Sequence, residues 1–349
     1  MNLNFSSTDV ALAKKINFDL IAKHFKALEE GNDIILDLPP TQIQALSKAT
    51  ALNNQPSWGW NFLQSQILDE KLKSGSKFKR KILYCVVDTM AYPTHTALTS
   101  DNQFVDKKFC KDFTTDSTQD DGHGHGHHVA GIILGKHPQY KLGVGYVNGV
   151  NHGDLIMAQK GLGSNGGGST QSLINAINHG LNVWKDNFKD YLLVLNFSWG
   201  ATTENNAITK AINEAINNGA FVNAAAGNNG TGLLSFPGGL QNVISWGAHD
   251  SRGNKASFSQ YGNTLVGIAP GVQIWSCFKD NNSYVSWDGT SMATPHGTAA
   301  VGLLLKYNPD IKNQNDLKEY LVNNLTDGGK PGRDDWYGYG YPKFDKLFK

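Results

Sequence analysis

The 349 residues predict an α/β fold, with a mostly parallel central sheet, helices on both faces and a small N-terminal α/β appendage. Three observations carry this. Near-continuous apolar runs at 81–87, 192–197 and 221–226 are too short for helices and suit strands buried on both faces. Each run stops at polar or small residues: Asp88, then Ser198-Trp199-Gly200, then Gly227-Asn228. Amphipathic helical patterns at 170–185 and 204–218 lie between runs, the second closed by Gly219. Strands alternating with helices point to parallel βαβ units, which bind ligands at the carboxyl ends of their strands.

In chain order, residues 1–55 read as the appendage. Ile16, Leu20, Ile21, His24, Phe25 and Leu28 recur at helical spacing before Gly31. Residues 33–38 form a short strand candidate ended by Pro39-Pro40, and Thr41 can cap a second helix. Asn53-Asn54-Gln55-Pro56 is the expected seam, so the division is 1–55 for the extension and 56–349 for the main domain. Beyond the first strand, 129–134 is an apolar helix candidate following a glycine- and histidine-rich turn. A longer apolar stretch, 298–305, follows Gly289-Thr290-Ser291-Met292-Ala293-Thr294-Pro295-His296.

Composition narrows the function classes. Hydrophobic residues make up 40% and charged residues 17%, enough for a large core. A net charge of +1 without basic or acidic blocks gives no reason to expect nucleic acid or a membrane surface as partner. No apolar run is long enough to span a bilayer. Cys85, Cys110 and Cys277 form neither a disulfide framework nor a metal-type pair, which fits a reducing compartment. The first residues, Met1 to Ser7, have no basic and apolar leader pattern, so the expected location is cytoplasmic.

Four segments carry chemistry. Ser291 sits where a helix begins, and a serine there gains from backbone N–H groups but still needs a base. Asp88 ends a strand; it reads as a turn carboxylate or as a fixed acceptor for an imidazole. His125 lies among His123, His127 and His128, either as a general base with incidental neighbours or as part of a metal site. His123-Gly124-His125-Gly126-His127-His128 is close to the His-x-His-x-Asp-His run of metallo-β-lactamase-like hydrolases, but that reading leaves the Ser291 segment unexplained. Asn228 is a turn former or a side-chain amide donor.

In the order Asp, His, Asn, Ser, these segments resemble the subtilisin-like serine proteases. Asp88-Thr89, His125-Gly126-His127-His128-Val129-Ala130-Gly131, Ala225-Ala226-Gly227-Asn228 and 289–296 carry the likeness. Ser198-Trp199-Gly200, Phe236-Pro237-Gly238, Ala269-Pro270-Gly271 and Tyr337-Gly338-Tyr339-Gly340 extend it over 58–349. Two departures stand out: Met90 replaces a glycine after the acid, and His127 replaces the threonine between the two family histidines.

The resemblance implies a serine endopeptidase acting on a peptide or protein. Asp88, His125 and Ser291 would form the triad, with Asn228 as oxyanion donor. Gly166, Gly167 and Gly168 and the strip Ser198, Trp199, Gly200 would flank an extended substrate. Ala225, Ala226 and Gly227 would wall the pocket before the cut, with its floor near Leu234-Ser235 and a large apolar side chain as the expected occupant. No cofactor is required for this chemistry. The resemblance leaves a structural calcium open, although the family's usual loop is not recognisable, since 135–140 hold no carboxylate; the metal content and oligomeric state stay unassigned.

Overall fold

The first strand explains the architecture. In β1 (Lys81–Asp88) Ile82, Tyr84 and Val86 join one hydrophobic cluster, and Leu83, Cys85 and Val87 join another. Side chains alternate across a strand, so a run that is apolar at every position is covered on both faces. This computed structural model describes residues 58–63, 67, 80–99, 103–116, 120–137, 141–145 and 153–349. The appendage expected over 1–55, with its two helices, its strand and the seam at Asn53-Asn54-Gln55-Pro56, lies outside the described residues.

Chain order runs α1 (Trp58–Phe62), β1, α2 (Thr96–Thr99), β2 (Lys111–Asp112), α3 (His125–Leu134), β3 (Leu155–Lys160), α4 (Thr170–Asn187) and β4 (Tyr191–Phe197). It continues with α5 (Asn206–Asn217), β5 (Phe221–Ala225), β6 (Ile244–His249) and β7 (Gly267–Pro270). A hairpin, β8 (Ile274–Cys277) and β9 (Tyr284–Trp287), precedes α6 (Thr290–Tyr307), α7 (Gln314–Asn324) and α8 (Phe344–Leu347). Among the described residues, seven strands form one parallel sheet in the order β2-β3-β1-β4-β5-β6-β7. The expected parallel sheet is therefore present. The strands expected at 81–87, 192–197 and 221–226 and the helices at 170–185 and 204–218 fall where the sequence placed them, and the helix expected from 129 begins earlier, at His125.

From β1 the chain builds outward in both directions, since β3 and β4 pair on opposite sides of it. That reversal makes the carboxyl end of β1 a natural ligand crevice. Helices α3 and α6 pack with the Ile82–Tyr84–Val86 face, while Leu173, Ile177, Ile208 and Ile212 of α4 and α5 cover the other. Ser169 and Asn205 cap α4 and α5 through their side-chain oxygens. Among the described residues no helix is long and apolar enough to cross a membrane.

Candidate active site

Asp88 and His125 meet at the end of β1 and the start of α3. Asp88 is fully buried, and its Oδ1 accepts from His125 Nδ1 at 2.8 Å and from the Thr89 N–H at 2.7 Å. The bond to Nδ1 fixes the ring and leaves Nε2 as the basic nitrogen. Burial disfavours the imidazolium, yet the Asp88 charge and hydrogen bond outweigh it and raise the His125 pKa above the ordinary value. The His125 ring stacks on Trp287 of β9 at 5.9 Å, and His128 stacks on the same indole at 4.9 Å. Sequence reading missed Trp287, because only the β8–β9 hairpin brings it there.

Ser291 lies in the first turn of α6, after Gly289, whose φ of +157° is near-extended. Its hydroxyl donates to the Ser198 carbonyl at 2.8 Å, and the Ser198 hydroxyl donates back to the Ser291 carbonyl at 2.9 Å. The second bond has a local cause. Pro295 stands four residues on and has no N–H, so the Ser291 carbonyl loses its intrahelical donor. Ser198 supplies one, held in turn by Asn196 Nδ2, whose Oδ1 accepts from Thr298 of α6. The carboxyl end of β4 is thus tied to the helix start that carries Ser291.

Asn228 is oriented just as firmly. Its Oδ1 accepts from the Thr290 N–H at 2.9 Å and the Thr290 hydroxyl at 2.8 Å. Both bonds need the carbonyl end of the amide there, so Nδ2 is the end left to donate. A β-carbon on Gly289 would sit 3.7 Å from that Nδ2, which places the donor beside the Ser291 turn.

Of the residues expected to wall the pocket, Ala225, Ala226 and Gly227 are buried, and Gly227 has φ +108°. Its β-carbon would fall 1.9 Å from Gln260 Oε1 and 2.3 Å from Ser235 Oγ. Ser235 also faces Gly200, and its hydroxyl donates to Gln260 Oε1 at 2.9 Å. Gln260 was not legible beforehand. Trp199 packs in the core against Phe197, while Gly200, Gly167 and Gly168 are exposed. Gly163 and Gly167 close the glycine loop with a backbone bond of 2.8 Å.

The two departures have structural consequences. Met90 adopts φ +96°, a region that favours glycine, at a strain of about 1–3 kcal/mol. Its side chain is buried in the larger core cluster, and the packing holds the turn. His127 is committed elsewhere: Nδ1 donates to Asp121 Oδ2 at 2.8 Å and Nε2 accepts from the Tyr92 N–H at 3.3 Å. The metal alternative therefore finds no geometry. Residues two apart on a helix do not face each other, so His125 and His127 diverge. Among the described residues no three His, Cys, Asp or Glu side chains converge as a metal site. In the stretch read for calcium, 135–137 carry no carboxylate and 138–140 lie outside the described residues.

Fold and site define a hydrolase of the serine type. Residues 79–340 match the model of the Subtilase family, and the chain belongs to that family. It is 33% identical over 314 residues to the alkaline protease of Alkalihalobacillus alcalophilus, covering 89% of this chain and 75% of that one. Subtilisin Savinase of Lederbergia lenta is 38% identical over 224 residues, 64% of this chain and 77% of its own. A cold adapted subtilisin-like serine proteinase superposes with a TM-score of 0.61 at 26% identity, covering 74% of this chain and 89% of that one. The protein is a serine endopeptidase whose substrates are peptides or proteins, and subtilase chemistry needs no cofactor.

The cytoplasmic location expected from the sequence is overturned by these relatives. They include the minor extracellular protease Epr of Bacillus subtilis strain 168, 36% identical over 225 residues, 64% of this chain and 33% of that one. The three cysteines do not favour a reducing compartment either. Cys85 and Cys277 are fully buried, and burial pushes the Cys110 thiol up to about 11 and the other two higher still. Thiols so protected are inert and do not report on the redox state of a compartment.

Proposed function

We propose that Ser291 is the nucleophile, His125 the general base, Asp88 its orienting acid and Asn228 a donor to the oxyanion. The observation that supports this is the buried 2.8 Å Asp88–His125 bond at the end of β1, whose sheet neighbour β4 is tied through Ser198 to the turn that bears Ser291. Ser291 leaves the Ser198 carbonyl and gives its proton to His125 Nε2 as its oxygen bonds the scissile carbonyl carbon. The tetrahedral oxyanion takes hydrogen bonds from Asn228 Nδ2 and the Ser291 N–H. The imidazolium, stabilised by Asp88, then protonates the leaving amine, and water repeats the sequence on the acyl-enzyme.

Gly166, Gly167 and Gly168 and the strip Ser198, Trp199 and Gly200 are proposed to pair with an extended substrate backbone, supported by the exposed glycine edges. Ala225, Ala226 and Gly227 wall the pocket, which ends at the Ser235 hydroxyl backed by Gln260. Residues 56–349 are proposed as the peptidase domain, with 1–55 as an extension. The packing of Trp58 and Phe62 into the body of the domain supports that boundary. A fluorophosphonate should add one label, at Ser291, and Ser291→Ala should abolish peptide hydrolysis with an unchanged melting temperature. Hydrolysis at the wild-type rate by that variant would remove the assignment.

A further inference from the structure

We propose that Asp121 and His127 form a positioning couple that holds the catalytic pair in register, without touching the reacting atoms. The proposal rests on the assignment of Asp88 and His125 given above. Both residues are almost fully buried, and neither is needed for the chemistry of acyl transfer.

The couple is the hub of a directed network. Asp121 Oδ1 accepts from the Thr89 hydroxyl at 2.8 Å, the Gly124 N–H at 2.6 Å and the His123 N–H at 3.1 Å. Its Oδ2 accepts from the His127 ring at 2.8 Å and the His127 N–H at 3.1 Å. Burial opposes its charge, but His127, Gly124 and Thr89 more than compensate and hold its carboxyl below the usual range. A carboxylate with this many donors clamps the first turn of α3, where His125 sits.

Thr89 carries the connection onward. Its one hydroxyl proton is spent on Asp121, so its oxygen accepts the Gly126 N–H at 2.9 Å. Its own N–H donates to Asp88 Oδ1, the oxygen that holds His125. Every link from Asp121 to His125 therefore has one direction. His127 sets the far end: the Tyr92 N–H faces Nε2, so the single ring proton of the neutral form sits on Nδ1, aimed at Asp121. Tyr92 follows Met90 on the segment leaving β1, so the same imidazole also braces the turn after the acid.

A purely structural role would alter stability alone. A positioning role predicts more. In His127→Ala the carboxylate loses the ring donor that fixes Oδ2, so it can rotate and shift the Thr89 hydroxyl that Oδ1 holds. The Asp88–His125 bond then loosens. Turnover should fall about tenfold or more, as small displacements of a base do, with KM within about twofold. The acid limb of kcat/KM should move down towards the ordinary histidine value, because the Asp88 charge and hydrogen bond do most to raise the His125 pKa, while the smaller effect of the Asp121 charge stays in the variant. His123 and Lys279 also act on the charge balance here and stay unchanged in the variant. His127→Asn, which keeps a side-chain N–H donor, should recover most of the turnover.

The experiment is kcat, KM and the pH profile of wild type, His127→Ala and His127→Asn on a neutral peptide nitroanilide, below all melting transitions. An unchanged kcat and acid limb in His127→Ala, with only a lower melting temperature, overturns the proposal. If His127→Ala does not fold, Thr89→Val replaces it: the hydroxyl link goes while the N–H to Asp88 stays. The same loss of kcat and shift of limb are expected, and their absence overturns the proposal equally. Failure of the triad assignment is distinguishable, because wild type would then escape fluorophosphonate labelling at Ser291.

Discussion

Replacing Gly126 by alanine tests how tightly the catalytic pair is packed. The new methyl would lie 1.8 Å from the Met90 carbonyl oxygen and 2.7 Å from its carbon. Both partners are backbone, so no side-chain rotation relieves the contact. Reaching the 3.4 Å of ordinary contact needs about 1.6 Å of movement. Met90 follows Asp88 by two residues, and Gly126 follows His125 by one, so that movement separates acid from base. If about half of it reaches the 2.8 Å Asp88–His125 bond, the distance passes hydrogen-bonding range. A displacement near 1 Å at a catalytic group lowers turnover about 100-fold. Gly126→Ala should therefore cut kcat by about that factor, with a lower acid limb and a reduced melting temperature. Steady-state kinetics on a peptide nitroanilide, with thermal unfolding alongside, measures all three. A variant with wild-type turnover and an unmoved acid limb would refute the claim that Met90 and Gly126 set the pair's spacing.

Asn228→Ala should lower kcat by about 10²–10³, the loss measured on removing this kind of donor in subtilisin, with KM little changed; a rise in KM alone would make Asn228 a binding residue. Because the Asp88 charge raises the His125 pKa, the imidazolium should persist above the ordinary ~6.5 and the acid limb should lie higher than that; Asp88→Asn should bring it down, and a limb at or below 6.5 in wild type counts against the pair. Burial lowers His128 and His249 to about 3 and His95 and His296 to about 4. Unfolded chains bind these protons below pH ~6.5 and the folded protein does not, so stability present above that pH is lost as pH falls towards 4, by up to about 1.4 kcal/mol per group at one unit below. Denaturant titrations at pH 7.5 and 5.5 should show the midpoint dropping, and equal midpoints would mean that these rings protonate without unfolding.

What the sequence revealed depended on where each element is buried. β1, β4 and β5 read clearly because both their faces are covered and nearly every position is apolar. β3 did not, because Gln159 and Lys160 interrupt it; the structure buries Lys160 by pairing it with Asp116 at 2.9 Å. β6 hides behind Ser245, Gly247 and His249 for the same reason. Asp88, His125, Asn228 and Ser291, the residues of the proposed site, stood out through the segments that resemble the family, and the strand ends and helix start only gave them a context. Asp121 was not, since an Asp in a glycine-rich turn looks like any turn former, and its donors come from Thr89, His123, Gly124 and His127. The four histidines suggested metal only because the sequence does not show that α3 begins at His125 and turns its neighbours apart.

The described domain also closes on itself. Trp58 Nε1 donates to the Val272 carbonyl at 3.0 Å, and the Leu63 carbonyl accepts from the Phe344 N–H at 2.9 Å. Phe62, His249 and Tyr341 stack between these points, and Gly59 lies against His296 of α6, leaving no room for a β-carbon. Residues 58–63 and 341–344 thus form one seam behind α6. Displacing either 58–63 or 341–344 exposes the same aromatic patch, so the two segments open together.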